Sequence, residues 1–307
     1  MGYAGLKKQT GLGTVTLVIA ANLPDIDAVS GLFERSLAWR RGWTHGPIAL
    51  AVLPIILVMA VIAFDRWQAG RGTRPPKRDP LHARWLLALA YIGILSHPLL
   101  DLLNTYGVRL LMPFSERWFY GDTLFIVDVW LWGALALGIM AARRRERRGD
   151  VRAARPAISG LIAVVVYVGA MAASSIAAER YLTREVVARG MRPIAVLASP
   201  VPIDPFRRRM VFQSGDAYGF GDLRWTPAPR LTLEPDLVPT NMAHPAVAAA
   251  AARDRRVADF LYWSRFPFAD VRQGVDGAQV TIGDARYNRR PGDGIFTVRA
   301  TVDQRPP

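Results

Sequence analysis

Apolar residues are distributed in two different ways along the chain, and the change falls near Glu179. Before it lie four long apolar stretches: Gly46–Phe64, Ala83–Leu103, Thr123–Ala142 and Ala157–Ala178. Each reaches, or nearly reaches, the ~20 residues that a helix needs to cross a bilayer core. A shorter apolar stretch, Gly11–Leu23, precedes them. After Glu179 the runs are short and broken by Pro and Gly. Arg207–Gln213, Ala217–Trp225, Gln279–Ala285 and Ile295–Val302 have the composition of strands. Ala246–Trp263 reads as a single helix with Val257, Phe260 and Leu261 on one stripe. The pattern predicts an α-helical integral membrane domain over 1–178, followed by a smaller, mostly-β (α+β) soluble domain over 179–307.

The net charge of +14 invites a nucleic-acid partner, but its distribution argues otherwise. One basic group, Arg66, Arg71, Arg74, Lys77, Arg78 and Arg84, follows the first long stretch. A second, Arg143, Arg144, Arg145, Arg147, Arg148, Arg152 and Arg155, follows the third. Short basic loops beside membrane spans are what the positive-inside rule expects. Neither loop has the interleaved aromatics of a nucleic-acid surface, so no nucleic acid is expected. With both loops and Lys7–Lys8 in the cytoplasm, the chain is expected to be multi-pass, with its C-terminal domain periplasmic or otherwise extracytoplasmic. The sequence has no cysteine, which excludes a disulfide scaffold and a thiolate zinc site. No cleavable signal peptide is visible.

The candidate chemistry lies inside the apolar part. His97 and Asp101 are four residues apart in Ala83–Leu103, on one helix face. Ionisable groups in a membrane-length segment are costly and generally functional. The topology brings other polar residues to the same outer level: Asp25 and Asp27 after Pro24, His45 at the start of the second helix, and Asn104. Asp122 and Asp128 bracket the next one. Histidine and carboxylate ligands without cysteine suit a divalent metal, Zn²⁺, Mn²⁺, Fe²⁺ or Mg²⁺. Arg40, Arg41 and Arg109 sit in the outer loops against the inside bias and are expected, with Asn104, to hold an anionic substrate. Arg40 and Arg41 could equally meet lipid headgroups or a loop carboxylate such as Glu34. Asp122 and Asp128 are the catalytic candidates, although helix capping accounts for such residues as well. Pro98 should bend the helix beside His97.

Four blocks carry a resemblance: Asn22-Leu-Pro-Asp-Ile-Asp27, Arg40-Arg-Gly-Trp-Thr-His45, Leu95-Ser-His-Pro-Leu-Leu-Asp101 and Asn104-Thr-Tyr-Gly-Val-Arg109. Over about residues 9–140 the chain resembles the YdjM-like membrane-bound metal-dependent hydrolases, bacterial inner-membrane proteins of which some are under LexA control. The resemblance is weaker in the C-terminal domain. It implies kinship with zinc-dependent phospholipase C and zinc nucleases, a zinc cluster, and phosphoester substrates. It also implies that Asp25, Asp27, His45, His97 and Asp101 are the metal positions. Members of that family begin with a further helix bearing Thr-His near its start. An in-frame segment of that kind is therefore expected upstream of Met1.

The leading expectation is a metal-dependent hydrolase acting on a phosphoester or a membrane lipid at the outer face. The alternative is a non-catalytic membrane protein with a structural metal or His–Asp cluster and a partner-binding C-terminal domain. A transporter fits less well, because the charged residues gather at an interface and not at the midplane.

Overall fold

Small side chains set the spacing of the first helices. In the computed structural model, which describes residues 1–33, 36–274 and 277–302, helix α1 spans Gly13–Asn22. Helix α2 is the short turn Ser36–Trp39, α3 spans Pro47–Gly70 and α4 spans Ala83–Leu102. Helices α1 and α4 cross where Gly93 meets Ala20. A Cβ added at Gly93 would stand 2.7 Å from the Ala20 Cβ and 2.8 Å from the Leu17 carbonyl oxygen. Glycine at that point lets two apolar helices pack backbone to backbone, which is how helices associate where lipid offers no hydrophobic drive. Leu57, Val58 and Val61 of α3 complete this core against Ala20, Leu86 and Ala90. Helix α4 continues through Pro98 to Leu102.

The chain divides into two compact units. The first comprises Met1–Val29, Arg40–Gly121 and Ile126–Ala170; the second comprises Ser30–Trp39, Asp122–Phe125 and Met171–Pro307. Among the described residues, three helices are long and apolar enough to cross a membrane: α3, α4 and α6, the last spanning Arg155–Ala188. Their outward faces are apolar, with Ile48, Val52, Ile55, Ile56 and Met59 exposed on α3 and Val165 and Val166 on α6. Surfaces of that size are not left to water. The stretch expected over Thr123–Ala142 is shorter than it reads. Helix α5 starts only at Val129, because Asp128 caps it by accepting from the Trp130 and Leu131 amides. It ends among Arg144, Arg145 and Arg147, so its apolar part is Val129–Ala142. Helix α1 has 10 residues.

In the second unit, α6 continues past residue 178 and lies on an antiparallel sheet. The strands are β1 Pro193–Pro200, β2 Arg207–Ser214, β3 Ala217–Arg224, β4 Arg230–Leu233 and β5 Val238–Pro239. They run in the order β1-β2-β3-β4, with β5 also paired to β3. Successive strand residues point to opposite faces. Ala198, Met210, Phe212 and Leu223 therefore meet Ala178, Leu182 and Val186, one row of α6 at four-residue spacing. Their neighbours Leu197, Val211, Tyr218 and Phe220 meet Phe266, Phe268 and Ala285 of a second layer. That layer is a sheet of β6 Pro267–Gly274, β7 Gly277–Asp284 and β8 Thr297–Val302. The segment expected as one helix is two, α7 Pro245–Arg253 and α8 Arg255–Trp263. The break is at Asp254, whose side chain leaves helical geometry to accept the Arg256 amide.

Candidate functional site

Three segments deliver the polar residues. A run of 3-10 turns, Leu23–Phe33, leaves α1 with Asp25 and Asp27; the turn Trp43–His45 presents His45 just before α3. The last turns of α4 present His97 and Asp101, and Asn104 follows.

His97 is oriented by a backbone atom. Its Nδ1 lies 2.7 Å from the carbonyl oxygen of Ala21. A carbonyl only accepts, so Nδ1 carries the proton and Nε2 is left with a lone pair. That Nε2 is 3.6 Å from Asp25 Oδ1 and 3.6 Å from Asp101 Oδ2. His45, fully buried, approaches from the other side, with Nε2 3.2 Å from the same Asp101 oxygen. The two rings are 5.3 Å apart at their centroids. Ligand atoms of Asp25, His45 and His97 all lie within 4.8 Å of one another.

Behind these atoms stands a second set of contacts. Asp27, expected as a ligand, instead faces the other nitrogen of His45. Its Oδ2 is 3.4 Å from His45 Nδ1 and accepts from the Thr44 hydroxyl at 3.0 Å and the Arg41 amide at 2.7 Å. Arg41 takes Asp101 Oδ1 at 2.8 Å and Asn104 Oδ1 at 2.9 Å, and lies over the Tyr106 ring. Arg40 donates to Asp25 Oδ1 at 3.2 Å. Arg109 is buried over Trp118 and donates to the Arg40 carbonyl at 3.2 Å. The backbone folds against it: a Cβ at Gly42 would come within 2.6 Å of an Arg109 nitrogen. Glu34 lies outside the described residues.

Asp122 and Asp128 are placed elsewhere. Asp128 caps α5 and accepts from the Tyr167 hydroxyl at 2.9 Å. Asp122 belongs to the second unit, where its Oδ2 pairs with Arg265 at 2.7 Å. Both take part in contacts within their own units. The Ala21 carbonyl and the Thr44 hydroxyl are the members that sequence reading does not supply. Thr44 is signalled only by its place next to His45; a backbone carbonyl leaves no signal.

Electrostatics follow from these contacts. The nearby His97 imidazole, and after it Arg40, hold the Asp25 carboxyl below its ordinary pKa, against the opposing effect of partial burial. Burial pushes the His45 imidazole down, but the carboxylates of Asp101 and Asp27 beside it outweigh this and raise its pKa.

The donor set fits a divalent ion. His45 Nε2, His97 Nε2 and Asp101 Oδ2 are buried and make no acceptable hydrogen bond. An unsatisfied buried polar atom costs roughly 1–3 kcal/mol, so three together call for a common partner. Nitrogen and oxygen donors at about 2.0–2.1 Å from a tetrahedral zinc stand about 3.3–3.4 Å apart. His45 Nε2 stands 3.2 Å from Asp101 Oδ2, and His97 Nε2 stands 3.6 Å from Asp101 Oδ2 and 3.6 Å from Asp25 Oδ1.

A helical region with three apolar spans, a His–Asp cluster at the end of one of them, and antiparallel sheets beyond define a membrane protein with a candidate metal centre. The model of the YdjM inner membrane protein family matches residues 1–181, and the chain belongs to that family. It is also similar to the uncharacterized protein YfhP of Bacillus subtilis (strain 168), 28% identical over 106 residues, 34% of this chain and 28% of that protein. The matched part thus covers less than a third of that relative's length. No solved structure matches the chain.

Proposed function

We propose that this protein is a membrane-embedded hydrolase that uses a divalent metal, zinc by preference, to cleave a phosphoester such as a phospholipid headgroup. The reading places the site at the outer face of the inner membrane in a multi-pass chain. The observation that carries it is the convergence of His45 Nε2, His97 Nε2 and Asp101 Oδ2, three buried atoms without hydrogen-bond partners. A divalent ion there would polarise a phosphoryl oxygen and bring the pKa of a water towards ~7. The chain's own residues do the rest. Ala21 fixes the tautomer of His97, and Asp27 with Thr44 fixes the ring of His45. Arg41 holds one oxygen of Asp101 and leaves the other for the site. Asp25, 45% exposed at its side chain, and Arg40, 33% exposed, form the open rim where an anion enters. Arg40 is thus the guanidinium best placed for substrate, while Arg41, Asn104 and Arg109 position the groups around it.

The test uses the full chain purified in lipid nanodiscs, with metal content measured by elemental analysis and hydrolysis followed over a panel of phosphodiesters and phospholipids. Bound divalent metal and chelator-sensitive hydrolysis are expected. His97→Ala and Asp101→Ala should lose both, whereas His244→Ala, at the cap of α7, should keep both. Metal-loaded protein inert to the whole panel would favour a structural cluster; protein that retains no metal would sink the reading. For orientation, a periplasm-active reporter fused after Glu179 should be active and one fused within 143–155 silent. The reverse pattern would move the site to the cytoplasmic side.

A further inference from the structure

Three arginines stand side by side at one end of the five-stranded sheet. Arg207 on β2 faces Arg224 on β3, and Arg224 faces Arg230 on β4. Like charges directly opposite on neighbouring strands destabilise a sheet. Asp222 answers Arg207 at 3.0 Å, and the residues at 224 and 230 are exposed. The same end carries two apolar loops. In the β1–β2 connection, Val201-Pro-Ile-Asp-Pro-Phe206, Ile203 is 68% and Phe206 54% exposed. The β3–β4 connection is Trp225-Thr-Pro-Ala-Pro229.

The direction in which this end points can be read from α6. Arg208, buried next to Arg207, donates to the Met171 carbonyl at 2.8 Å. The Trp225 indole donates to the Ser174 hydroxyl at 2.8 Å. Both partners lie in the later part of the apolar stretch Ala157–Ala178 of α6. The helix then runs on to Val186, ~18 Å further at 1.5 Å per residue, along the sheet. The loop end of the sheet is therefore the end that lies against the apolar part of α6.

We propose that this end of the sheet seats on the anionic surface of the membrane that α6 crosses, with Ile203 and Phe206 entering the headgroup region and Arg224 and Arg230 meeting lipid phosphates. Exposed apolar tips flanked by arginine are the composition of an interfacial anchor. Anionic lipid attracts basic residues held near its surface. Lipid phosphates supply the negative charge that the arginine row lacks within the sheet, so an unfavourable row becomes a complementary one. A tryptophan at that level is also favoured, because indole prefers the membrane–water interface. This inference concerns the second unit and does not depend on the metal reading.

The absence of cysteine makes a direct test available. Single cysteines at Phe206→Cys and, independently, Ile203→Cys carry an environment-sensitive fluorophore in the full chain, reconstituted in nanodiscs with nitroxide-bearing lipids. Ser214→Cys, at the other end of β2 and ~23 Å from Arg207 at 3.3 Å per residue, is the reference. Both loop labels should be blue-shifted and quenched severalfold more than the reference. Quenching should be stronger in phosphatidylglycerol discs than in phosphatidylcholine discs, and the double variant Arg224→Glu/Arg230→Glu should abolish that difference. Loop labels quenched no more than the reference would overturn the seating. Quenching indifferent to lipid charge and to the double variant would overturn its anionic character. Labels shielded from water yet unquenched by lipid would point to a covering protein surface, such as a second copy, and would also overturn it.

Discussion

The two histidines of the cluster are prepared in different ways. His97 is held by the Ala21 carbonyl, a backbone group that no side-chain substitution removes. His45 is held by Asp27 and Thr44, so its preparation can be altered by mutation. Carboxylate partners of metal-bound histidines contribute typically ~10–100-fold in metal affinity. Asp27→Asn is therefore expected to weaken metal binding by about that factor, since it keeps the shape and removes the charge behind the ring. His45→Ala should abolish binding. Competitive metal titration of the two purified variants against the wild type would measure this. Equal and complete loss in both would place Asp27 among the direct ligands.

At the scale of elements, the α1–α4 crossing determines whether the site forms. Gly93 is one turn before His97 and touches Ala20, the neighbour of the carbonyl that orients His97. Gly93→Val should cost about 1–3 kcal/mol through overpacking and carry the Ala21 carbonyl away from the ring. Thermal unfolding midpoint and metal content should fall together. Gly169→Val, at a position with open space around its Cβ, should leave metal content unchanged. If the two variants retain metal equally, the crossing does not set the site.

Much of this scale is legible in the sequence. The four-residue spacing of His97 and Asp101 declares a shared helix face. Alternation reveals β2, β3, β7 and β8. Strand β1 is harder to read because prolines bracket it and both its faces are covered, by α6 and by the second sheet. The separation of Asp25 from Asp27 is not legible at all. Two residues apart in a run of 3-10 turns, they face different sides of His45, and only the path of the backbone decides which.

At the scale of the whole molecule, the second unit rests on a buried ion pair. Asp284 and Arg286 are both fully buried and are joined at 2.9 Å, with Ser264 and the Arg265 amide completing the carboxylate's shell. Burial pushes the Asp284 carboxyl up, but Arg286 more than reverses this and holds its pKa below the ordinary value. A carboxyl with a depressed folded pKa stabilises fully above its unfolded pKa of about 4, and that contribution is lost as pH falls through the folded value. The unfolding midpoint should therefore drop below about pH 4. Asp284→Asn should lower stability at pH 7 by roughly 3–5 kcal/mol, since it leaves the buried charge of Arg286 without its counter-ion, and should flatten the acid limb. An unchanged acid limb in the variant would assign it to other carboxylates.

The short segment Asp122–Phe125 belongs to the second unit although it lies far upstream of Met171 in the chain. Arg265 pairs with the Asp122 carboxylate, Ser175 donates to its carbonyl, and buried Arg208 donates to the Asp122 and Thr123 carbonyls. A fragment beginning at residue 179 would lack every one of those acceptors and would enclose an arginine with too few partners. The sheets are thus not a cassette that can be excised, transplanted or shed. A membrane protease that removed the early part of the chain would leave behind a remnant unable to persist, so both parts should be cleared from the cell as one.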